Sequence, residues 1–235
     1  MQVPRALIIH VHPEPASFNH ALMTAAQARF EASGWTVEVS DLYRQRFDPV
    51  ASPADFVALH APQRFSLAHE QRHAQATRGY AADILAEQDK VARADVVVFQ
   101  FPLWWYGAPA MLKGWIERVF GNGFAYGDAA MFERGLLRGK RALLSITTGG
   151  SRVELDADRG HTGTVEEFLR PLGGGVLAFT GMRVLDPFIA YAVGAMSWRE
   201  RDETLRALEA RIDGIVAAHA GIPAGTLPTG PGLKL

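Results

Sequence analysis

Residues 95–110, DVVVFQFPLWWYGAPA, constrain the fold of this chain more than any other segment. Val96 to Phe99 are apolar on both faces, which is typical of a strand buried inside a parallel sheet. The strand has to end near Pro102, because proline cannot donate a hydrogen bond to a neighbouring strand. Pro109 then favours the first turn of a helix, whose apolar positions are Met111, Leu112, Trp115, Ile116, Val119 and Phe120.

Strand-like and helical segments alternate along the rest of the chain. Apolar runs predict strands at 5–11, 36–42, 95–101, 140–146 and 176–180. Helical periodicity lies between them, in segments at 18–33, 73–94, 109–120, 164–172 and 198–219. Residues 43–72 are expected to form a long surface excursion, and residues 182–193 are expected to be extended. This order predicts an α/β fold, with a doubly wound five-stranded parallel sheet and helices on both faces.

Composition limits the classes of function. A net charge of −1 argues against nucleic acid and acidic membranes as partners, and the absence of cysteine excludes disulfides and thiolate chemistry. Residues 96–112 carry no charge, but the polar, glycine and proline residues among them argue against a membrane span. No secretory segment is visible, so a cytoplasmic protein is expected. We expect one domain over residues 1–220 and a Gly- and Pro-rich tail over residues 221–235.

Three predicted strands end in unusual loops, and the carboxyl ends of parallel strands lie along one edge of a sheet. The first loop, HPEPASFN at 12–19, surrounds a helix start that could bind phosphate, although Ser17 alone is better explained as a helix cap. The second carries Trp104, Trp105 and Tyr106, which alone could be core or dimer residues. The third, TTGG at 147–150, could be a simple turn or a strip of backbone donors. Together the loops offer a phosphate pocket, an aromatic wall and a polar edge, which are the parts that hold a flavin.

Other site chemistries find less support in the sequence. His10 and His12 share one face of a strand, but the sequence offers no third ligand beside them, and we expect no metal site. The first loop lacks the GxGxxG fingerprint of dinucleotide-binding folds, and the chain lacks a GxxxxGK[ST] phosphate loop. A Ser-His-Asp hydrolase is disfavoured because no GxSxG motif is present.

Several motifs in register resemble the flavodoxin-like NAD(P)H:quinone oxidoreductases of the DT-diaphorase type. They are HxHPxxxSFNxAL at 10–22, FPLWWYGAPAMLKGW at 101–115, GFAY at 123–126, LLSITTGG at 143–150, and His161. The resemblance covers about residues 5–190. It implies a flavodoxin-like fold, a tightly bound FAD and a homodimer whose active sites lie at the subunit interface. FMN remains the alternative cofactor.

The resemblance also implies roles for individual residues. The cofactor phosphates would be held by His12, Ser17, Phe18 and Asn19. The flavin ring would be lined by Pro102, Leu103, Trp104, Trp105 and Tyr106, and its polar edge would be bound by Thr147, Thr148, Gly149 and Gly150. The catalytic positions implied are Tyr126, Gly149 and His161. The substrate pocket would be formed, partly from the opposite subunit, by Trp105, Tyr106, Tyr126, Asp128, His161 and Phe179.

Such enzymes work by ping-pong hydride transfer, in which NAD(P)H reduces the flavin at N5 and a quinone or another small aromatic acceptor then takes two electrons. The sequence departs from the animal members at two positions, because Leu155 and Asp128 stand where those members have tyrosines. Two alternatives remain: an FMN-dependent azo- or nitroreductase, and a non-catalytic flavin module that serves as an electron carrier or as an ancillary subunit of a membrane transporter.

Overall fold

The fold is described from a computed structural model, which covers residues 3–155 and 163–220. Its strands are β1 (Arg5–His10), β2 (Thr36–Asp41), β3 (Val96–Pro102), β4 (Arg141–Thr147), β5 (Arg183–Val184) and β6 (Phe188–Ala190). Its α-helices are α1 (Phe18–Ala32), α2 (Leu67–Thr77), α3 (Ala82–Arg93), α4 (Ala110–Val119), α5 (Val165–Leu172) and α6 (Trp198–Ala220). No helix within the described ranges is long and apolar enough to cross a membrane. The expected tail, residues 221–235, lies outside those ranges.

All the strands belong to one parallel sheet with the order β2-β1-β3-β4-β5, in which β6 also pairs with β4. Every residue of β3 and β4 is buried, as expected for central strands covered on both faces. Helices α1 and α6 contribute to the apolar cluster on one face, and α3, α4 and α5 contribute to the cluster on the other. The predicted doubly wound α/β architecture is therefore confirmed.

The predicted strand at 176–180 is wrong. Residues Gly173–Ala178 form a π-helical turn that continues α5, and the edge of the sheet is built further along the chain by β5 and β6. Arg183 pairs with Arg141, whereas Phe188 pairs with Ser145, so the edge strand holds one residue more than β4 between these two points. This bulge and Pro187, which lacks an N–H, divide the edge strand into two short pieces.

The predicted helix at 73–94 is two helices. Helix α2 begins earlier than predicted, at Leu67, and ends at Thr77, after which Arg78 has a positive φ of 53°. Gly79 and Tyr80 then turn the chain into α3, and the Tyr80 hydroxyl donates to the Gln71 carbonyl at 3.0 Å. A continuous helical pattern in the sequence therefore conceals a turn that is fixed by tertiary contacts.

A buried arginine fastens the 43–66 excursion to the body of the fold. The Arg118 guanidinium on α4 donates to Asp55 Oδ1 at 3.0 Å, to Asp83 Oδ2 at 2.9 Å and to the Asp48 carbonyl at 2.8 Å. It also lies 4.9 Å from the centre of the Phe47 ring. The excursion is therefore packed against α3 and α4.

Candidate active site

The three unusual loops meet at the carboxyl edge of the sheet, because β1, β3 and β4 are neighbours. The Asn19 side-chain amide donates to Thr147 Oγ1 at 3.1 Å, which joins the first loop to the third. The Leu103 N–H donates to the Thr147 carbonyl at 2.8 Å, which joins the second loop to the third. The rings of His12 and Trp104 lie 5.9 Å apart, which brings the first loop to the second.

The first loop ends in a capped helix start. Ser17 is the N-cap of α1, since its Oγ accepts from the His20 N–H at 3.1 Å. The Glu14 carboxylate accepts from the Ala16 N–H at 2.7 Å, and the Glu14 N–H donates to His12 Nδ1 at 3.0 Å. A carboxylate oxygen therefore already accepts a hydrogen bond from a backbone N–H of this loop. The first N–H groups of α1 have no partner within the helix, so the loop suits an anion such as phosphate.

The aromatic loop is a tight turn in an unfavourable backbone conformation. Trp104 and Gly107 exchange both backbone hydrogen bonds, at 3.2 and 3.0 Å, and the two central residues have φ values of 50° for Trp105 and 58° for Tyr106. Positive φ at both central positions is typical of a type I′ turn, which favours glycine and asparagine. The turn presents the Trp105 side chain almost fully to solvent, at 96% exposure. Backbone strain of this kind is characteristic of sites that position a ligand.

The third loop offers exposed backbone. Thr147 and Thr148 are buried, and the Thr148 hydroxyl donates to the Gly150 carbonyl at 2.7 Å, within the loop itself. Gly149 is exposed, and a Cβ added there would meet no atom within 4 Å. A flat ligand could therefore lie directly against the Gly149 backbone.

The predicted substrate-pocket residues form a second group. Tyr126 lies 5.4 Å from Phe179 between ring centres, and exposed Asp128 forms an ion pair with Arg72 of α2. Among the described residues, no ring contact joins this group to the aromatic turn, whose Tyr106 instead packs 4.9 Å from Phe168. The predicted catalytic residue His161 lies outside the described residues.

A buried polar row, which sequence reasoning missed, runs beneath the first loop. His10, Gln100 and Ser145 are register neighbours on β1, β3 and β4, so their side chains share the face that α1 covers. Their side-chain polar atoms are buried without hydrogen-bond partners, as is Asn19 Oδ1. Burial lowers the pKa of His10 to about 4, so that its ring is neutral at physiological pH. The sequence does contain a signal for this row, because one polar residue interrupts the apolar run of each of these three strands near its end.

These residues fit the parts of a flavin. The helix start can serve the polar phosphate end, the exposed Trp105 and Tyr106 can serve the ring, and the open Gly149 backbone can serve the pyrimidine edge.

Comparison with known proteins identifies the family. A family model described as flavodoxin-like fold matches residues 4–212. NAD(P)H dehydrogenase [quinone] 1 of Cavia porcellus is 44% identical over 212 residues, which cover 90% of this chain and 77% of that protein. Ribosyldihydronicotinamide dehydrogenase [quinone] of Homo sapiens is 42% identical over 212 residues, which cover 90% and 91%.

A solved structure agrees with these relatives. A putative quinone reductase from Klebsiella pneumoniae superposes with a TM-score of 0.85 at 35% identity, covering 90% of this chain and 85% of that one. The chain belongs to the flavodoxin-like family of NAD(P)H dehydrogenases [quinone].

Proposed function

We propose that this protein is an FAD-dependent NAD(P)H:quinone oxidoreductase. The observation that carries the proposal is the meeting of three loops at one edge of the sheet, where Asn19 bonds Thr147, Leu103 bonds Thr147 and His12 contacts Trp104. Relatives named NAD(P)H dehydrogenase [quinone] support the same reaction class. A bound flavin would supply hydride chemistry, and the protein would orient it and exclude water.

Each loop would hold a different part of the flavin. The phosphates would lie at the start of α1, against His12, Ser17, Phe18 and Asn19. The ring would lie along the strand end and the strained turn, against Pro102, Leu103, Trp104, Trp105 and Tyr106. The pyrimidine edge, which gains negative charge on reduction, would accept from the third loop, formed by Thr147, Thr148, Gly149 and Gly150.

A cavity whose walls share an apolar cluster with Phe18 of α1 favours FAD over FMN. It has a volume of about 450 Å³, and its walls include Phe188, Met196 and Thr204. The Arg201 guanidinium, on the same helix as Thr204, lies 5.4 Å from the Phe18 ring at the start of α1. A second nucleotide that continues from the phosphates could enter this space, whereas FMN would leave it empty. Release of the cofactor by denaturation, followed by chromatography against FAD and FMN standards, tests this assignment.

The substrate would bind over the flavin in a pocket shared between two subunits of a homodimer. Tyr126, Phe179, Asp128 and His161 would come from one subunit and would face Trp105 and Tyr106 of the other. Among the described residues, Tyr126 and Phe179 make no ring contact with the aromatic turn, which supports this arrangement. His161 and Tyr126 would stabilise or protonate the reduced acceptor, and the Gly149 backbone would face the reacting edge of the flavin.

Steady-state kinetics tests the function directly. NADH or NADPH oxidation, followed at increasing menadione concentration, should show a quinone-dependent rate and the parallel double-reciprocal lines of a ping-pong reaction. His161→Ala should lower turnover and retain the flavin. Absence of any quinone-dependent rate would contradict the proposal and would favour the electron carrier or ancillary transporter subunit. A higher rate with an azo dye or nitroaromatic than with any quinone would favour the azo- or nitroreductase alternative.

Location in the cytoplasm stays a prediction from the sequence, and cell fractionation would test it.

A further inference from the structure

Three potential metal ligands meet beneath the first turn of α1. His10 and Asp41 are the last residues of β1 and β2, and they are direct register neighbours in the sheet. The third residue of α1, His20, lies over them, with its ring centre 5.2 Å from that of His10. One ligand atom from each of the three residues lies within 4.8 Å of the other two. The sequence spacing pairs His10 with His12, whereas the fold brings His10 to His20 and Asp41.

His10 lacks partners of its own. Its ring is 0% exposed, and neither Nδ1 nor Nε2 has a hydrogen-bond partner among the described residues. A buried polar atom without a partner costs about 1–3 kcal/mol, so it is rarely retained without a reason. A histidine ring nitrogen without a hydrogen-bond partner is free to bind a metal ion through its lone pair.

The other two ligands are oriented and accessible. The Arg44 N–H donates to Asp41 Oδ1 at 3.0 Å, which orients the carboxylate at the end of β2. Asp41 and His20 are half-buried, so an ion could enter from solvent and reach His10 at the base of the site. His12 points elsewhere, because its Nδ1 accepts from the Glu14 N–H.

We propose that His10, His20 and Asp41 form a binding site for a divalent transition-metal ion, with Zn²⁺ as the preferred ion. Two imidazoles and one carboxylate are a common three-residue zinc ligand set, and water completes the tetrahedron. Ligand atoms at zinc distances lie about 3.3 Å apart, so the three side chains have to close slightly around the ion. Mg²⁺ prefers oxygen ligands and does not suit this site.

The bound ion would connect three elements. It would tie β1 and β2 to α1, next to the loop that we assign to the phosphates of the flavin. It would not touch the proposed hydride path, which runs along the aromatic turn and the third loop. The site therefore serves stability of the first loop rather than the redox reaction, and it stands independently of the proposed function.

Zinc binding to the holoenzyme tests the inference. After treatment with EDTA and its removal, titration with ZnCl₂ by calorimetry should give one ion per chain, and excess MgCl₂ should not compete. X-ray absorption spectroscopy at the zinc edge should show two imidazole ligands on the bound ion. Absence of binding, or a spectrum without imidazole, would overturn the proposal.

Variants assign the residues. His10→Leu, His20→Ala and Asp41→Asn should each weaken zinc binding by about 100-fold. The control is the double variant His60→Ala/His73→Ala, which removes a second histidine pair that stacks at 4.5 Å but is not part of a three-ligand group among the described residues. It should bind zinc like the parent protein. His20→Ala keeps the test informative if replacement of the buried His10 impairs folding. Equal loss in the control, or unchanged affinity in His10→Leu and His20→Ala, would overturn the assignment.

Discussion

At the scale of single residues, Asn19 is the side chain that joins the site. It is buried at the start of α1, its amide nitrogen bonds Thr147 Oγ1, and its oxygen has no partner. A buried amide is costly when only half of it is hydrogen-bonded. Its retention is therefore best explained by a ligand group that donates to the free oxygen, such as a hydroxyl of the flavin side chain next to the phosphates.

A double-mutant cycle can measure this connection. Asn19→Ala and Thr147→Val each remove one partner of the same hydrogen bond, so the second substitution should cost less in the presence of the first. We expect a coupling of about 0.5–1.5 kcal/mol in urea unfolding of the flavin-free protein, and weaker flavin binding by both variants. Thr148→Val is the control, since the Thr148 hydroxyl bonds Gly150 instead, and it should add to Asn19→Ala without coupling. Additivity between Asn19→Ala and Thr147→Val would contradict the role given to this contact.

At the scale of elements, the backbone conformation of the aromatic turn lowers the stability of the fold but fixes the position of the two exposed rings. Trp105 has a positive φ of 50° and is almost fully exposed, so its side chain contributes little packing to the single chain. Trp105→Gly should therefore raise the free energy of unfolding of the flavin-free protein by about 1 kcal/mol, because glycine adopts this conformation without strain. The same variant should lower quinone turnover. Urea unfolding and steady-state kinetics measure the two effects.

A second exposed tryptophan provides the matched control. Trp198 is 81% exposed and begins α6, where its backbone has no reason to favour glycine. Trp198→Gly should leave stability unchanged or lower it, and it should keep turnover. If Trp105→Gly and Trp198→Gly change stability alike, strain in the turn is not the cause.

Helix α2 should give the fold a component of acid sensitivity. Glu70 accepts from the N–H groups of His60 and Ala61 at 2.7 and 2.9 Å, which holds the 43–66 excursion against α2. These hydrogen bonds, with the nearby positive charge of His60 and His73, lower the pKa of Glu70 below its usual 4.5. A carboxylate with a lowered pKa in the folded state stabilises the fold above pH 4.5, and this contribution is lost as the pH falls below that value.

Substitution of Glu70 tests the predicted direction of this pH dependence. Glu70→Gln should be less stable than the parent protein near neutral pH, and the difference should shrink as the pH falls through and below 4.5. Thermal unfolding midpoints measured across that range give the result. Glu133→Gln, at an exposed position, is the control and should change little. A pH-independent difference between Glu70→Gln and the parent would refute the assignment.

The elements that could be predicted from the sequence are those whose burial leaves a continuous pattern. The strands β1, β3 and β4 are apolar on both faces, so their positions follow from the sequence alone. The edge strands β5 and β6 pair on one side only and are interrupted at Pro187. The nearby apolar run at 176–180 has a stronger strand pattern than either of these two strands, so the sequence favours the wrong segment. Periodicity does not distinguish a short buried strand from a short buried helix.

At the scale of the whole molecule, sheet order determines the site. The sequence could place three loops on one edge, because parallel strand ends share that edge. It could not supply the register that brings Gln100 between His10 and Ser145, or that brings Asp41 beside His10, because register is set by pairing between distant segments. We propose that two chains complete the pocket, because Tyr126 and Phe179 make a ring contact with each other but none with the Trp105 turn among the described residues.

Mixed dimers can establish whether two subunits share each active site. One inactive variant would carry Trp105→Ala and Tyr106→Ala, and the other would carry Tyr126→Ala and His161→Ala. If each site takes the aromatic turn from one subunit and Tyr126 and His161 from the other, a mixed dimer has one intact site and one doubly damaged site. Random co-assembly should then restore about a quarter of the parental quinone reductase rate, because half of the dimers are mixed and half of their sites are intact.

This recovery of activity follows from the geometry of a two-fold interface, in which each subunit presents the same surface to its partner. The two variants, carrying different affinity tags, should be co-expressed, and the doubly tagged dimers purified and assayed with NADPH and menadione. Those dimers alone should recover about half of the parental rate, while each variant alone stays inactive. A doubly tagged dimer without activity would show that each chain builds its pocket alone, and a protein that sediments as a monomer would exclude the shared site altogether.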